Sequence, residues 1–447
     1  MPSWGGDPGG DPLQPPGQVD FMGELTDVQG TLYFVTSTIE AGSVLWRSNG
    51  TAAGTVPVKS FPGPPGVYQP QRLVAVGNKL FFQVRTDANG FELWSSDGTA
   101  GGTRLVKDLT PGAEDSLMSN ATEVDGRLVF FRWVPLPGDR VGPELWRSDG
   151  TAAGTLRVRD FTSTPGLAYD TLKVGDALLF FISEDTGTTL WRTDGTAAGT
   201  TSVKRLDAGR AGITGVSGPG EQPLFILEDG PNSEVWKTNG TAAGTVRLDA
   251  FGKRVRLLGT LGTSVYLTSM DSPVTKRLRI DRLSLAGGGK TGITTLPNPY
   301  GSYEYTYPSV PMAVVSGGDI YFSVAIGSDA PVPTAISLWA TNGTAAGTRQ
   351  LLDNGNVEYG YRYPVFATGT GQVLFGGAPD PLGPAFPYFT RGTAATQGRL
   401  ADVTFPNAFT RVGNRIFFTA IATTGEGQLW SVPATFSCPP GLTGARE

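Results

Sequence analysis

The chain has 447 residues, a formal net charge of −5, no histidine and a single cysteine. The absence of histidine excludes Ser-His-Asp and Cys-His nucleophile arrangements and His-bearing zinc sites, and Cys438 alone cannot close an intramolecular disulfide. Charges are scattered without a basic stripe for phosphates, which argues against nucleic acid as a partner, and no apolar run approaches the roughly 20 residues of a membrane helix.

Residues 1–18, MPSWGGDPGGDPLQPPGQ, have neither a basic start nor an apolar core and read as a solvated Gly/Pro tether. From there a motif recurs: LWRSNGTAAGT from Leu45, LWSSDGTAGGT from Leu93, LWRSDGTAAGT from Leu145, LWRTDGTAAGT from Leu190, VWKTNGTAAGT from Val235 and LWATNGTAAGT from Leu338. Worn copies begin at Arg282 and Tyr388, and a truncated QLWSV ends at Val432. With the motif placed at 46, 94, 146, 191, 236, 283, 339, 389 and 430, the period of roughly 45 to 55 residues is that of a repeat architecture.

The second unit shows what lies between motifs. LVAV, GN, KLFFQVR, TDANG, FELWSS, DGTAGGT and RLVKDL follow one another from Leu73. Short runs rich in Val, Leu and Phe, bounded by Gly, Asn or Asp, have the pattern of half-buried strands. Four antiparallel strands per unit are expected, here named A to D. The A–B turns Gln29-Gly30, Gly77-Asn78, Asp125-Gly126, Gly175-Asp176, Gly317-Gly318 and Gly413-Asn414 tolerate the positive φ of two-residue hairpins. Strand B is expected nine times, as TLYFVT, KLFFQV, RLVFFRW, ALLFFI, PLFILE, SVYLTS, DIYFSV, QVLFGG and RIFFTA.

A radially repeated four-stranded meander is a propeller blade. The expectation is therefore an all-β chain, a β-propeller of nine four-stranded antiparallel blades over residues 19–437, followed by a tail at 438–447. Eight blades would result if the sixth unit, about 251–296, failed to form one. There Leu283 is aligned with the motif tryptophan, and Ala286-Gly287-Gly288-Gly289 replaces the turn. The ninth unit loses its turn after Trp430, so its strand D would come from the segment ending at Ser437 or from the tether.

The motif resembles the bacterial ELWxxDGT repeat family, most completely at Glu92-Leu93-Trp94-Ser95-Ser96-Asp97-Gly98-Thr99 and from Glu144 to Thr151. Val44, Thr189, Ser337 and Gln428 stand where that pattern has Glu, so no role is carried over to the carboxylate. The resemblance implies a secreted or cell-surface bacterial protein and brings no catalytic residues.

Asp97, Asp149 and Asp194 recur at one turn position, which invites a calcium reading, but Asn49, Asn239 and Asn342 occupy it elsewhere. A hard cation would favour retained charge. What Asp and Asn share is an oxygen that accepts from the backbone N–H two residues on, so the expectation is a structural turn without metal or cofactor. Trp46, Trp94, Trp146, Trp191, Trp236, Trp339 and Trp430 sit at one strand position, where a flat ring fills the wedge between blades. Gly287-Gly288-Gly289-Lys290-Thr291 imitates a phosphate loop without its first glycine or βαβ context. Asn49-Gly50-Thr51 and its copies match a glycosylation pattern as a by-product of the turn.

Function is expected on the blade ends that carry the variable B–C and D–A loops. Two long D–A segments, 297–307 and 353–363, place Tyr300, Tyr303, Glu304, Tyr305, Tyr307, Glu358, Tyr359, Tyr361, Arg362 and Tyr363 there, residue types that stack on sugar rings or peptide side chains and hydrogen-bond their rims. The leading expectation is a monomeric, non-enzymatic binding scaffold for a glycan or protein. A glycan hydrolase or lyase using Glu304 and Glu358, which would have to face each other at about 5 to 10 Å, and a purely structural envelope protein are the alternatives.

Overall fold

The computed structural model describes residues 20–435 except 65, 164–166, 185–186, 208–211, 219–221, 231, 253, 299–306, 328–334, 357–362, 379–382 and 394–395. The architecture is all-β: nine antiparallel sheets in chain order, the blades of a β-propeller. Most blades are meanders of four strands. Blade 7 has five because its strand A is divided into Tyr307–Ser309 and Ala313–Ser316, both paired with Asp319–Gly327. Blade 9 has three among the described residues, Thr404–Val412, Arg415–Ile421 and Gly427–Pro433. After them, the Ala434 N–H donates to the Asn414 carbonyl at 2.7 Å. The tether at 1–18 and the tail at 438–447 fall outside the described residues.

All nine expected B segments are second strands of blades, because each alternates enough apolar residues to be covered on both faces. Gln29, Gly30, Gly77, Asp125, Gly126, Gly175, Gly317, Gly318 and Gly413 have φ between 49° and 87°, the left-handed values that two-residue hairpins need. The worn sixth unit forms a complete blade, Arg256–Leu261, Ser264–Met270, Leu278–Ser284 and Lys290–Thr295.

Its register corrects the alignment made from sequence. In regular blades the motif tryptophan pairs with a B-strand phenylalanine, Phe34 with Trp46 and Phe82 with Trp94. The residue before each phenylalanine pairs with the one after the tryptophan, as Tyr33 does with Arg47. In blade 6 the corresponding pair is Tyr266 and Arg282, which places Asp281, not Leu283, opposite Leu267 at the tryptophan position. In blade 8 the position belongs to Tyr388, paired with Phe375, and not to residue 389.

The chain divides into two compact units, with the division running through the fifth sheet. In the unit comprising 14–230 and 236–246, the core is a series of apolar layers, each between two consecutive blades. Val35, Leu45, Phe61 and Phe82 belong to the first layer, Phe81, Leu109, Met118 and Phe130 to the second, and Phe131, Phe161 and Phe180 to the third. In the unit that contains 247–435, equivalent layers join blades 6 and 7 through Ile280, Leu296 and Phe322, and blades 8 and 9 through Leu374, Phe389 and Phe418. Strands A of blades 1, 2 and 3 lie side by side. Each has a bulge with a residue in the left-handed region, Glu24, Arg72 and Asn120.

Candidate functional site

The repeated turns are closed upon themselves. In all six regular copies the Asp or Asn Oδ1 accepts the backbone N–H two residues on at 2.8 to 3.1 Å, and the hydroxyl of that same threonine at 2.7 to 2.8 Å. A Cβ on the second glycine of the motif, such as Gly54 or Gly154, would lie 1.9 to 2.1 Å from that oxygen. Glycine is needed there for the close approach, whatever its φ. The hydrogen bonds from threonine hold the carboxyls of Asp97, Asp149 and Asp194 below the usual carboxylate range. Among the described residues, no group of three or more His, Cys, Asp or Glu is arranged to hold a metal.

The motif tryptophans lie between blades. Trp46, Trp94, Trp191 and Trp236 stack on the B-strand phenylalanines of their own blades at 6.0 to 6.5 Å. Phe61 and Phe161, from the end of the preceding blade, meet Trp94 and Trp191 edge-on at 5.6 and 5.1 Å. A strand-D cation of the preceding blade covers the ring: Lys59 over Trp94, Lys107 over Trp146, Arg159 over Trp191 and Lys204 over Trp236. Lys107, Arg159 and Lys204 also donate to the carbonyl of the threonine that closes the next turn, at 2.9, 3.0 and 2.7 Å. Thus in blades 2 to 5 the motif tryptophan joins its blade to the one before it. Trp339 is in the layer between blades 6 and 7, and Trp430 packs against the layer of blades 8 and 9.

The variable first position of the motif serves local needs. Glu92 is fully buried and accepts from the Leu109 and Thr110 N–H groups at 3.0 Å and from Ser116 Oγ at 2.5 Å, which fastens its D–A loop. Burial raises its pKa, and those hydrogen bonds oppose the shift. Glu144 pairs with Arg132 and Arg157 and accepts the Trp146 indole N–H, whereas Ser337 accepts that of Trp339.

Of the loop residues proposed from sequence, Tyr300, Tyr303, Glu304, Tyr305, Glu358, Tyr359, Tyr361 and Arg362 lie outside the described residues, and Tyr307 begins the strand Tyr307–Ser309. Tyr363 requires a correction. It is 4% exposed and clusters with Ile336, Ala378 and Ala385, so its ring belongs to the core and is not presented to a ligand.

At the roots of the two long loops is a cleft of about 490 Å³. Leu296, Pro297 and Asn298 bound it where the first loop leaves, Asp353 where the second begins, and Gln350 on the strand that leads into it. Val324, Ile326, Ile336 and Trp339 form its apolar wall, and Arg277 lies on its rim. Arg277 is held by Asp271 at 2.9 Å, and the Asn298 amide donates to the Lys276 carbonyl at 2.8 Å, so two polar groups of the rim are fixed. Sequence reasoning found the loops but missed this wall, whose residues look like ordinary alternating strand residues; unusual D–A loop length was the one available signal.

No protein-family model matches the chain, and no curated protein matches it. Several solved structures are similar to part of the chain. A structure from a study of two prolyl endopeptidases is 13% identical, with a TM-score of 0.47 over 83% of this chain and 54% of that one. Puromycin hydrolase is 13% identical, with a TM-score of 0.39 over 78% and 58%. The β-propeller domain of the Trilobed protease from Pyrococcus furiosus is 11% identical, with a TM-score of 0.38 over 73% and 99%. The chain thus spans little more than half the length of the first two.

Proposed function

We propose that the protein is a non-enzymatic binding scaffold that takes a glycan or protein ligand at blade ends formed by the B–C and D–A loops. The cleft at the roots of the two tyrosine-rich segments carries this reading. Its volume of about 490 Å³ lies within the ordinary range of ligand pockets, roughly 300–1,000 Å³. Its apolar wall and fixed polar rim suit a ligand with one apolar face and a hydrogen-bonding edge. The motif turns, by contrast, spend their side-chain oxygens on their own threonines. A secreted or cell-surface location in bacteria rests on the resemblance to the ELWxxDGT repeat family.

The test is a screen of the full chain against immobilised glycans and proteins, repeated with Gln350→Arg, which fills the cleft from an exposed position, and with Tyr303→Ala and Tyr361→Ala. A ligand retained by the parent and lost in Gln350→Arg at unchanged melting temperature is the expected result. Retention by all variants, or no ligand at all, would sink the assignment.

A further inference from the structure

A second concavity, of about 300 Å³, lies between blades 2 and 3 in the other compact unit and owes nothing to the loops discussed above. Two aromatic residues line it, one held by its ring and the other by its backbone. The indole N–H of Trp133 donates to Ser119 Oγ at 2.8 Å. Phe91 is held through its backbone, its N–H donating to Asp115 Oδ1 at 2.9 Å and its carbonyl accepting the Ser116 N–H at 2.9 Å. Arg85 lies 5.9 Å from the Phe91 ring centroid and forms a salt bridge with Asp115 at 2.6 Å, neutralising the nearest carboxylate. Between the rings are polar side chains of strands A and B. Gln83 is half-buried, and among the described residues no hydrogen bond reaches its amide, while Gln71 donates to the Gly66 carbonyl at 3.3 Å, leaving its amide oxygen available. Leu117, 55% exposed, forms an apolar lip.

The neighbouring backbone is already occupied. Glu24 accepts the Leu73 N–H at 3.2 Å, and Arg72, held at φ 56° in its bulge, donates to the Met118 carbonyl. A peptide adding itself as a strand needs a row of free backbone groups, and these two bonds interrupt that row. Arg72 is the only charged residue in the lining, and one of its donors is taken by that carbonyl; a single guanidinium is a weak cage for a phosphate and repels a cation. Fixed aromatic walls with side-chain amides that both donate and accept match a molecule with an apolar C–H face and a rim of hydroxyls.

We propose that the groove between blades 2 and 3 binds a pyranose ring of a neutral glycan, with Trp133 and Phe91 as its walls and Gln83 as the hydrogen-bonding partner of its hydroxyls. The proposal stands on different residues from the cleft assigned above, so either can fail alone.

Saturation-transfer NMR of the full chain with methyl glucopyranoside, methyl galactopyranoside, methyl mannopyranoside and N-acetylglucosamine tests it. At least one sugar should be saturated. Gln83→Leu, which keeps the shape and removes the amide, should weaken binding about tenfold or more without lowering the melting temperature, and Ile39→Ser, at an exposed position outside both concavities, should leave it unchanged. If Gln83→Leu does not fold, Leu117→Arg blocks the groove from an exposed position and should abolish the signal. No saturation by any sugar, or saturation that survives Gln83→Leu and Leu117→Arg, would overturn the proposal. Loss in Gln350→Arg alone would also overturn it, and would move the sugar to the cleft of the other unit.

Discussion

Blades 4 and 6 have the same four strands and opposite interiors at one position. In blade 4, Trp191 stacks on Phe180, meets Phe161 edge-on and lies beneath Arg159 at 4.5 Å. In blade 6 the same register position holds Asp281, 1% exposed, accepting from Ser269 Oγ at 2.7 Å and paired with Arg279 at 3.0 Å. The serine occupies the place of Thr36, which accepts the Trp46 indole N–H in blade 1. A hydroxyl that elsewhere accepts a hydrogen bond from tryptophan therefore donates one to a carboxylate here. Both blades are complete, so alternation and hairpin turns suffice to build a blade. What the tryptophan and its turn add is attachment to the preceding blade.

The largest effect should come from removing that attachment where it is most developed. Trp191→Ala deletes a ring shared by two blades and is expected to cost about 3–5 kcal/mol, measured by denaturant unfolding. A cost as small as that of an exposed substitution would mean that the motif is no more needed in blade 4 than in blade 6, and the contrast would break.

The opposite substitution sharpens it. Asp281→Ala leaves Arg279 and Ser269 without their acceptor and is expected to cost about 2 kcal/mol, less than for a fully buried ion pair because Arg279 reaches solvent. Asp281→Leu replaces the carboxylate by an apolar group of similar size and should cost less than the alanine change. If the leucine variant is the weaker of the two in a thermal melt, the carboxylate contributes more than the volume it fills.

These contrasts also separate what was legible in the sequence from what was not. The nine B strands and the A–B turns could be read because local alternation and left-handed turn residues report local geometry. The register of blade 6 could not, since Leu283 is apolar and Asp281 is charged, and only the pairing of Tyr266 with Arg282 reveals which one replaces the ring. Tyr363 was misplaced for a related reason: a tyrosine beside a polar loop looks available, while its burial depends on Ile336 and Ala378, remote in sequence. Both concavities were illegible because their walls are assembled from different blades.

Regular blades differ among themselves in how they fasten their loops, and pH resolves the difference. Glu92→Gln presents an amide N–H₂ group to one of two backbone donors and should cost about 1–2 kcal/mol at neutral pH. Burial holds the Glu92 pKa above its ordinary 4.5 in the folded protein, so the folded state takes up a proton before the unfolded state does. Wild type should therefore gain stability relative to Glu92→Gln as pH falls from neutral through the folded-state pKa, with no further gain below about 4.5. Parallel stability curves for the two proteins would show that the carboxyl does not titrate differently on folding.

The smallest effect tests the turn itself. Asp149 Oδ1 accepts the Thr151 N–H at 2.9 Å and its hydroxyl at 2.7 Å, and a Cβ on Gly154 would intrude within 2.1 Å of it. Asp149→Ala should cost about 1 kcal/mol, as loss of a local capping acceptor does, and Asp149→Asn should cost less because the oxygen remains. The hydrogen bond from threonine lowers the folded-state pKa of Asp149 below 3.8, so the stability it adds is present above that value and lost as pH falls through the folded pKa. The asparagine variant has no such loss, and its stability relative to wild type should improve in that acid window. Gly154→Ala forces the carboxylate out of the same space, so in combination with Asp149→Ala its cost should be less than additive. Additive costs, with alanine and asparagine indistinguishable at position 149, would place the strength of the turn in its backbone rather than in its side-chain oxygen.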